Sequence, residues 1–246
     1  MYYPKHKIIF IAINKTGSTS VLQALNDSFY EQDVPEIWQL NNQPGTGRVH
    51  EYLKHAQAYF YYHVLGAEEF NKCYSFSLIR NPWDKLVSDF FFRCRSPKQP
   101  EEWRMKRKWF VNKGLLEPTS SPDNDLFRLF VRAMKDHDLI PHGHWKSITR
   151  KFDLPDKGKE NVNQLDGLTD LDNKLMINNV VKLEEISLRW KSIQHIFKDR
   201  TGIDLDNLQH TNQSKRDKYQ QYYDAETYEI VNSLFRRDIA YFNYKF

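Results

Sequence analysis

Two short segments combine cationic side chains with hydroxyls in a pattern that suits binding of phosphate or sulfate groups. In the first, an apolar run leads to Lys15, and Gly17 and several Ser and Thr residues follow at once. A small-residue turn at the start of a helix points backbone N–H groups and hydroxyls at an anion, and the lysine adds a point charge. The predicted anion-binding residues of this loop are Lys15, Thr16, Gly17, Ser18, Thr19 and Ser20.

The second segment places an arginine at the end of another apolar run. Arg80 is followed by Asn81 and Pro82, and Ser88 falls in the helix that Pro82 is suited to begin. An arginine fork and a serine hydroxyl suit a second phosphate group, at the carboxyl end of a strand where open α/β sheets bind ligands. Two such sites indicate a ligand with separated anionic groups.

The first loop differs from the phosphate loop of NTPases. That loop requires Gly-x-x-x-x-Gly-Lys-Ser/Thr, with the lysine after the glycines. Here Lys15 precedes Gly17. A purely structural strand-turn-helix with Ser and Thr caps also remains open from the loop alone.

The sequence resembles the PAPS-dependent sulfotransferases (PAPS is 3′-phosphoadenosine 5′-phosphosulfate), in particular the carbohydrate branch with heparan 2-O-sulfotransferases and bacterial homologues. Residues 15–20, Lys-Thr-Gly-Ser-Thr-Ser, are similar to that family's 5′-phosphosulfate loop, Pro-Lys-Thr-x-Ser-Thr-Ser. Residues 80–88, Arg-Asn-Pro-Trp-Asp-Lys-Leu-Val-Ser, resemble its 3′-phosphate motif, Arg-x-Pro-x-x-Arg-Leu-Val-Ser. Asn14 departs from the usual proline, and residues 95–175 match only loosely.

The resemblance also implies roles for residues outside the two motifs. His55 lies in a segment similar to the one that carries the family's catalytic histidine, with His63, His142 and His144 as alternatives. The tail resembles the family's cofactor loop, which implies cofactor contacts from the residues Ser214, Lys215 and Arg216. A charge cluster that merely flanks a helix is the alternative for the last two.

The reaction implied is in-line transfer of a sulfuryl group from PAPS to a hydroxyl acceptor, which we expect to be a carbohydrate, with 3′,5′-ADP as product. A histidine base would take the acceptor proton, and Lys15 would stabilise the leaving phosphate. This chemistry requires no metal. The alternatives are an Mg²⁺-dependent nucleotide kinase or NTPase with a variant loop, and a non-catalytic module that binds nucleotides or glycans.

Alternating strands and helices predict an α/β fold, a P-loop-like parallel sheet with helices on both faces, in one domain over residues 1–246. The predicted strands are 6–13, 74–80 and 176–183. The predicted helical segments are 18–29, 55–71, 83–94, 123–137, 184–201 and 224–240. A polar loop over 153–173 is predicted to be either an acceptor-binding lid or disordered.

Composition narrows the class of protein. The net charge of +4 does not favour nucleic acid as a partner, and the longest apolar run, residues 8–13, is too short to span a bilayer. The N-terminus lacks signal-peptide features, so we expect a cytoplasmic enzyme unless an anchor precedes this sequence. Cys73 and Cys94 are expected to be reduced thiols. The basic run 93–113 is predicted to be either a solvated helix face or a surface that binds the acceptor. The sequence does not indicate the oligomeric state.

Overall fold

The computed structural model describes residues 1–28, 55–92, 123–136, 163–209 and 216–246. These residues group into two compact units. The first unit contains Met1–Arg80 and Gly143–Asn212, and the second contains Asn81–His142 and Gln213–Phe246. The single domain over residues 1–246 stays a prediction.

The first unit is built on a four-stranded sheet. Its strands are β1 Tyr2–Tyr3, β2 Ile8–Ile11, β3 Tyr74–Ile79 and β4 Asn179–Lys182, in the order β1-β2-β3-β4. Strand β1 pairs antiparallel with β2, whereas β2, β3 and β4 are parallel to one another.

The α-helices of the two units are numbered together in chain order. They are α1 Ser18–Ser28, α2 Ala58–Leu65, α3 Ala67–Lys72, α4 Pro82–Phe90, α5 Asp123–Asp136, α6 Ile186–Thr201, α7 Ala225–Leu234 and α8 Arg236–Tyr241. The predicted α/β class is confirmed, with a mainly parallel sheet flanked by helices.

The central strands are buried along their whole length. Every residue of β2 and β3 is buried, as expected for strands of a parallel sheet covered by other elements. The serines of β3 are buried but paired, since Ser77 Oγ donates to the Ile11 carbonyl at 2.7 Å. On one side of the sheet, Phe76 contacts Phe10 at 4.9 Å and Phe197 of α6 at 5.6 Å between ring centroids. This core fixes the carboxyl ends of β2 and β3 next to each other.

The second unit packs α4, α5 and α7 through aromatic side chains. Trp83 stacks on Tyr228 with ring centroids 5.7 Å apart, and Phe90 packs edge-on against Phe127 at 5.6 Å. Helix α4 begins where the sequence predicts, because Pro82 occupies its first turn and the Asn81 side chain caps it.

Several predicted bounds need correction. Strand 6–13 shortens to Ile8–Ile11, because Pro4–His6 form a 3₁₀ turn that ends at Lys7 with φ 54°. Strand 176–183 shortens to β4, and Leu183–Glu185 form a 3₁₀ turn before α6. The predicted helix 224–240 is two helices, because Phe235 leaves the helical region at φ −107° and ψ 21°.

The described part of the predicted polar loop 153–173, residues 163–173, has a defined structure, and its role as an acceptor-binding lid stays a prediction. Residues Gln164–Gly167 form a 3₁₀ turn closed by reciprocal hydrogen bonds between Asn163 and Asp166. Leu165 and Leu168 are buried, which explains why this segment packs into the unit despite its polar composition. Residues 153–162 lie outside the described residues.

Candidate functional site

The loop after β2 makes a sharp turn into α1. Lys15 has φ 64° and Gly17 has φ 79°, two left-handed conformations within three residues. The buried hydroxyl of Thr16 donates to the Ile13 carbonyl at 2.9 Å, and the Ser20 N–H donates to the Gly17 carbonyl at 3.1 Å. Ser18 begins α1, so the turn ends at the positive end of an 11-residue helix dipole. The turn therefore brings the backbone of the loop to the start of α1, and its role in anion binding stays a prediction.

Gly17 lies where a larger residue would not fit without adjustment. A Cβ added at this position would lie 2.7 Å from Leu183 Cδ1, and Leu183 is the residue that follows β4. The left-handed φ of Gly17 also strongly favours glycine. The sequence therefore uses glycine where the loop after β2 comes close to the residue that follows β4.

Arg80 supports this loop from the end of β3. Its Nη1 donates to the backbone carbonyl of Lys15 at 3.1 Å. Arg80 is half-buried, and its guanidinium carries further donors in a fixed fork. The sequence predicts Lys15 and Arg80 in two separate anion sites. In the structure, the Arg80 side chain contacts the backbone of the Lys15 loop directly.

Gln164 is a residue of this site that the sequence analysis missed. Its Oε1 accepts from the Arg80 N–H at 2.9 Å, and its Nε2 donates to the Arg80 carbonyl at 2.8 Å. Gln164 is 3% exposed, so both bonds are shielded from water. The side-chain amide thus acts as a strand partner that fixes the Arg80 backbone where β3 ends.

His55 lies at the same end of the sheet as the loop. Its Nδ1 is 2.7 Å from the carbonyl oxygen of Ala12, the first residue after β2. A carbonyl oxygen only accepts hydrogen bonds, so Nδ1 must carry the proton. In the neutral imidazole the lone pair is then on Nε2, which is the arrangement a general base requires.

The alternative histidines differ from His55 in their setting. His63 is exposed on α2 and packs edge-on against Tyr59, with ring centroids 4.4 Å apart. His142 and His144 lie outside the described residues, as do Ser214, Lys215 and the basic run 93–113.

In the second unit, Arg216 pairs with Asp84 in the first turn of α4. The Arg216 Nη2–Asp84 Oδ1 distance is 2.5 Å, and the Arg216 side chain is 9% exposed. Asn81 caps the same turn, and its Nδ2 donates to the Lys245 carbonyl at 2.9 Å. Ser88 is half-buried on α4. The cofactor roles of Ser88 and Arg216 stay predictions.

The described ranges contain no group of three or more His, Cys, Asp or Glu side chains that could hold a metal ion. None of their helices has the length and apolar character needed to cross a bilayer. Cys73 is a free, buried thiol, as predicted, and burial and the nearby Glu69 charge raise its pKa to about 11.

Comparison with known proteins identifies the family of this chain. A family profile described as the Sulfotransferase family matches residues 1–245, nearly the whole chain. No curated protein and no solved structure gives a significant match. Because the profile covers both motifs, the His55 segment and the tail, the chain belongs to the sulfotransferase family, whose members are enzymes that transfer sulfuryl groups.

Proposed function

We propose that this protein transfers a sulfuryl group from PAPS to a hydroxyl of a carbohydrate acceptor. The observation that carries the proposal is the hydrogen bond from His55 Nδ1 to the Ala12 carbonyl, 2.7 Å long. Nε2 is then the basic nitrogen of the ring, and the Ala12 carbonyl that holds the ring is three residues before Lys15 in the chain. Transfer of an anionic group to a hydroxyl requires a base beside an anion-binding loop.

The loop between β2 and α1 is suited to the donor. The left-handed turn at Gly17 lets the chain approach Leu183 closely and then enter α1, so backbone N–H groups of the first turn can face an anionic group. Lys15 would contact the phosphosulfate, and Arg80 would contact the 3′-phosphate. PAPS would supply the activated sulfuryl group.

His55 would act on the acceptor. Its Nε2 takes the proton of the acceptor hydroxyl, and positive charge then builds on the ring. The Ala12 carbonyl stabilises that charge through the Nδ1–H bond and holds the ring in one tautomer. Lys15 provides the positive charge that offsets the negative charge growing on the leaving phosphate oxygen. The carbohydrate class follows from the resemblance of the motifs and the His55 segment to the carbohydrate branch.

A thermal-shift comparison tests the donor class. A ligand that binds only the folded state raises the melting temperature by mass action, so 3′,5′-ADP should raise it more than ATP with Mg²⁺. Incubation with PAPS and a panel of glycans, phenols and lipids, followed by mass spectrometry, then identifies the acceptor. Stabilisation by ATP with Mg²⁺ but not by 3′,5′-ADP would favour the kinase alternative.

A further inference from the structure

The first unit has a basic depression at the other end of the sheet. It has a volume of about 400 Å³ and is lined by Lys5, His6, Lys7, Lys72, Arg200 and Thr201. Lys7 immediately precedes β2, and Lys72 lies two residues before β3. The Lys15 loop and Arg80 instead follow these two strands. Because β2 and β3 are parallel, the basic depression and the candidate active site lie at opposite edges of the sheet.

The charges of the basic depression are only partly compensated. Glu69 pairs with Lys7, and Glu68 pairs with Lys72 at 2.7 Å, both from α3. In the described part of the chain, no carboxylate pairs with Lys5 or Arg200. Two of the four permanent cations therefore remain to attract an anion. None of the residues that line the depression is acidic.

Two of the cations of the basic depression, Lys7 and Arg200, are held in place by neighbouring structure. Lys7 closes the 3₁₀ turn Pro4–His6 by donating its N–H to the Pro4 carbonyl, and the turn is held by the pairing of β1 with β2. The Arg200 guanidinium lies over the Tyr74 ring, 5.4 Å from its centroid. Cation–π contact of this kind fixes the arginine while its donors stay available to an oxyanion.

We propose that the basic depression binds a small ligand that carries two or more phosphate or sulfate groups. Its volume is within the range of small-molecule sites, and an arginine fork with several lysines matches tetrahedral oxyanions. The ligand is separate from the donor nucleotide, and the proposal does not depend on the proposed reaction. Phosphate and sulfate oxyanions share this chemistry, so the source is either an inorganic polyphosphate or a sulfated sugar.

Calorimetric titration of the full chain tests the proposal with two probes, inorganic tripolyphosphate and a trisulfated disaccharide. A Lys15→Ala background weakens anion binding at the opposite edge of the sheet. We expect saturable binding of one ligand per chain to at least one probe, and the stronger probe identifies the source. The double variant Lys5→Gln/Arg200→Gln should weaken this binding at least about tenfold, since it removes two charge-assisted contacts.

A matched control removes the same charge elsewhere. Arg189→Gln/Lys191→Gln changes two exposed cations on α6, and Arg189 lies three turns before Arg200. This control should bind the probe as the parent does. Equal weakening by both double variants would show non-specific charge attraction and overturn the proposal. Absence of saturable binding of either probe at millimolar concentration would also overturn it.

Discussion

Arg80 Nη1 donates to the backbone carbonyl of Lys15 at 3.1 Å, so the end of β3 holds the loop that follows β2. Arg80 therefore has a structural role in addition to its proposed contact with the ligand. One donor of the guanidinium supports the left-handed turn at Lys15, and the positive charge of the group suits a phosphate.

Arg80→Ala should erase most of the preference for 3′,5′-ADP over 5′-AMP. A charge-assisted contact to phosphate contributes about 1.5 to 3 kcal/mol, so affinity for 3′,5′-ADP should fall at least about tenfold. Calorimetry with both nucleotides measures the preference. Arg189→Ala, at an exposed arginine of α6, is the control and should change neither affinity. Equal affinity of the wild-type protein for the two nucleotides would remove the assignment of Arg80.

Gln164→Ala should lower both stability and nucleotide affinity. It leaves the N–H and carbonyl of Arg80 without their buried partners, which costs about 1 to 3 kcal/mol of unfolding free energy for each group. Urea unfolding and 3′,5′-ADP titration measure the two effects. Gln194→Ala removes a side-chain bond to the Leu205 carbonyl and should change stability alone. If both variants bind 3′,5′-ADP like the wild type, Gln164 has no positioning role.

Gly17→Ala should impair nucleotide binding more than it impairs stability. The left-handed φ costs a residue with a Cβ about 1 to 2 kcal/mol, whereas the close Leu183 Cδ1 is the end of a flexible side chain that can move. Gly202→Ala is the matched control, because Gly202 has φ 73° but no neighbour within 4 Å of an added Cβ. We expect the two variants to have similar unfolding free energies. Only Gly17→Ala should lose 3′,5′-ADP binding. Unchanged binding in Gly17→Ala would contradict a donor role for the loop.

Asp224 should make the second unit sensitive to acid. Burial alone would raise its pKa, but hydrogen bonds from Thr227 and pairing with Arg132 outweigh burial and lower it. A carboxylate with a lowered folded-state pKa stabilises the fold above its unfolded pKa, about 4, and this contribution is lost as the pH falls through the folded value.

The variant Asp224→Asn tests whether the Asp224 carboxylate stabilises the fold at neutral pH and loses this effect in acid. It keeps an acceptor that can cap α7 but removes the charge, so it should be less stable than the wild type at pH 7. The difference in unfolding free energy should shrink as the pH is lowered from 5 to about 2. A difference that is independent of pH would show that the carboxylate charge contributes nothing.

The sequence was sufficient for the parts of the fold that follow from local patterns. Strands β2 and β3 are continuous apolar runs, and Pro82 with Asn81 marks the start of α4. The loop at Lys15 could likewise be predicted, because its glycine and hydroxyl residues are adjacent in the chain.

Contacts between distant residues could not be predicted in this way. Gln164 and Arg80 are 84 positions apart, and no spacing marks a lone glutamine as the partner of a strand end. The bond from His55 to Ala12 spans 43 positions, so resemblance pointed to the histidine but not to its tautomer. The segment 163–170 has the composition of a polar loop, and only its reciprocal Asn163–Asp166 bonds and two leucines explain its burial.

The central claim is that His55 is the base of a PAPS-dependent sulfuryl transfer. The most direct measurement is the rate at which wild type, His55→Ala and Lys15→Ala form sulfated acceptor and 3′,5′-ADP from PAPS, together with the affinity of each protein for 3′,5′-ADP. His55→Ala should keep its affinity and lose about 10² to 10⁴ in kcat, the range for general acid–base catalysis, whereas Lys15→Ala should lose both affinity and turnover. Near-wild-type turnover by a folded His55→Ala protein, or no sulfated product from the wild type with any acceptor, would contradict the claim.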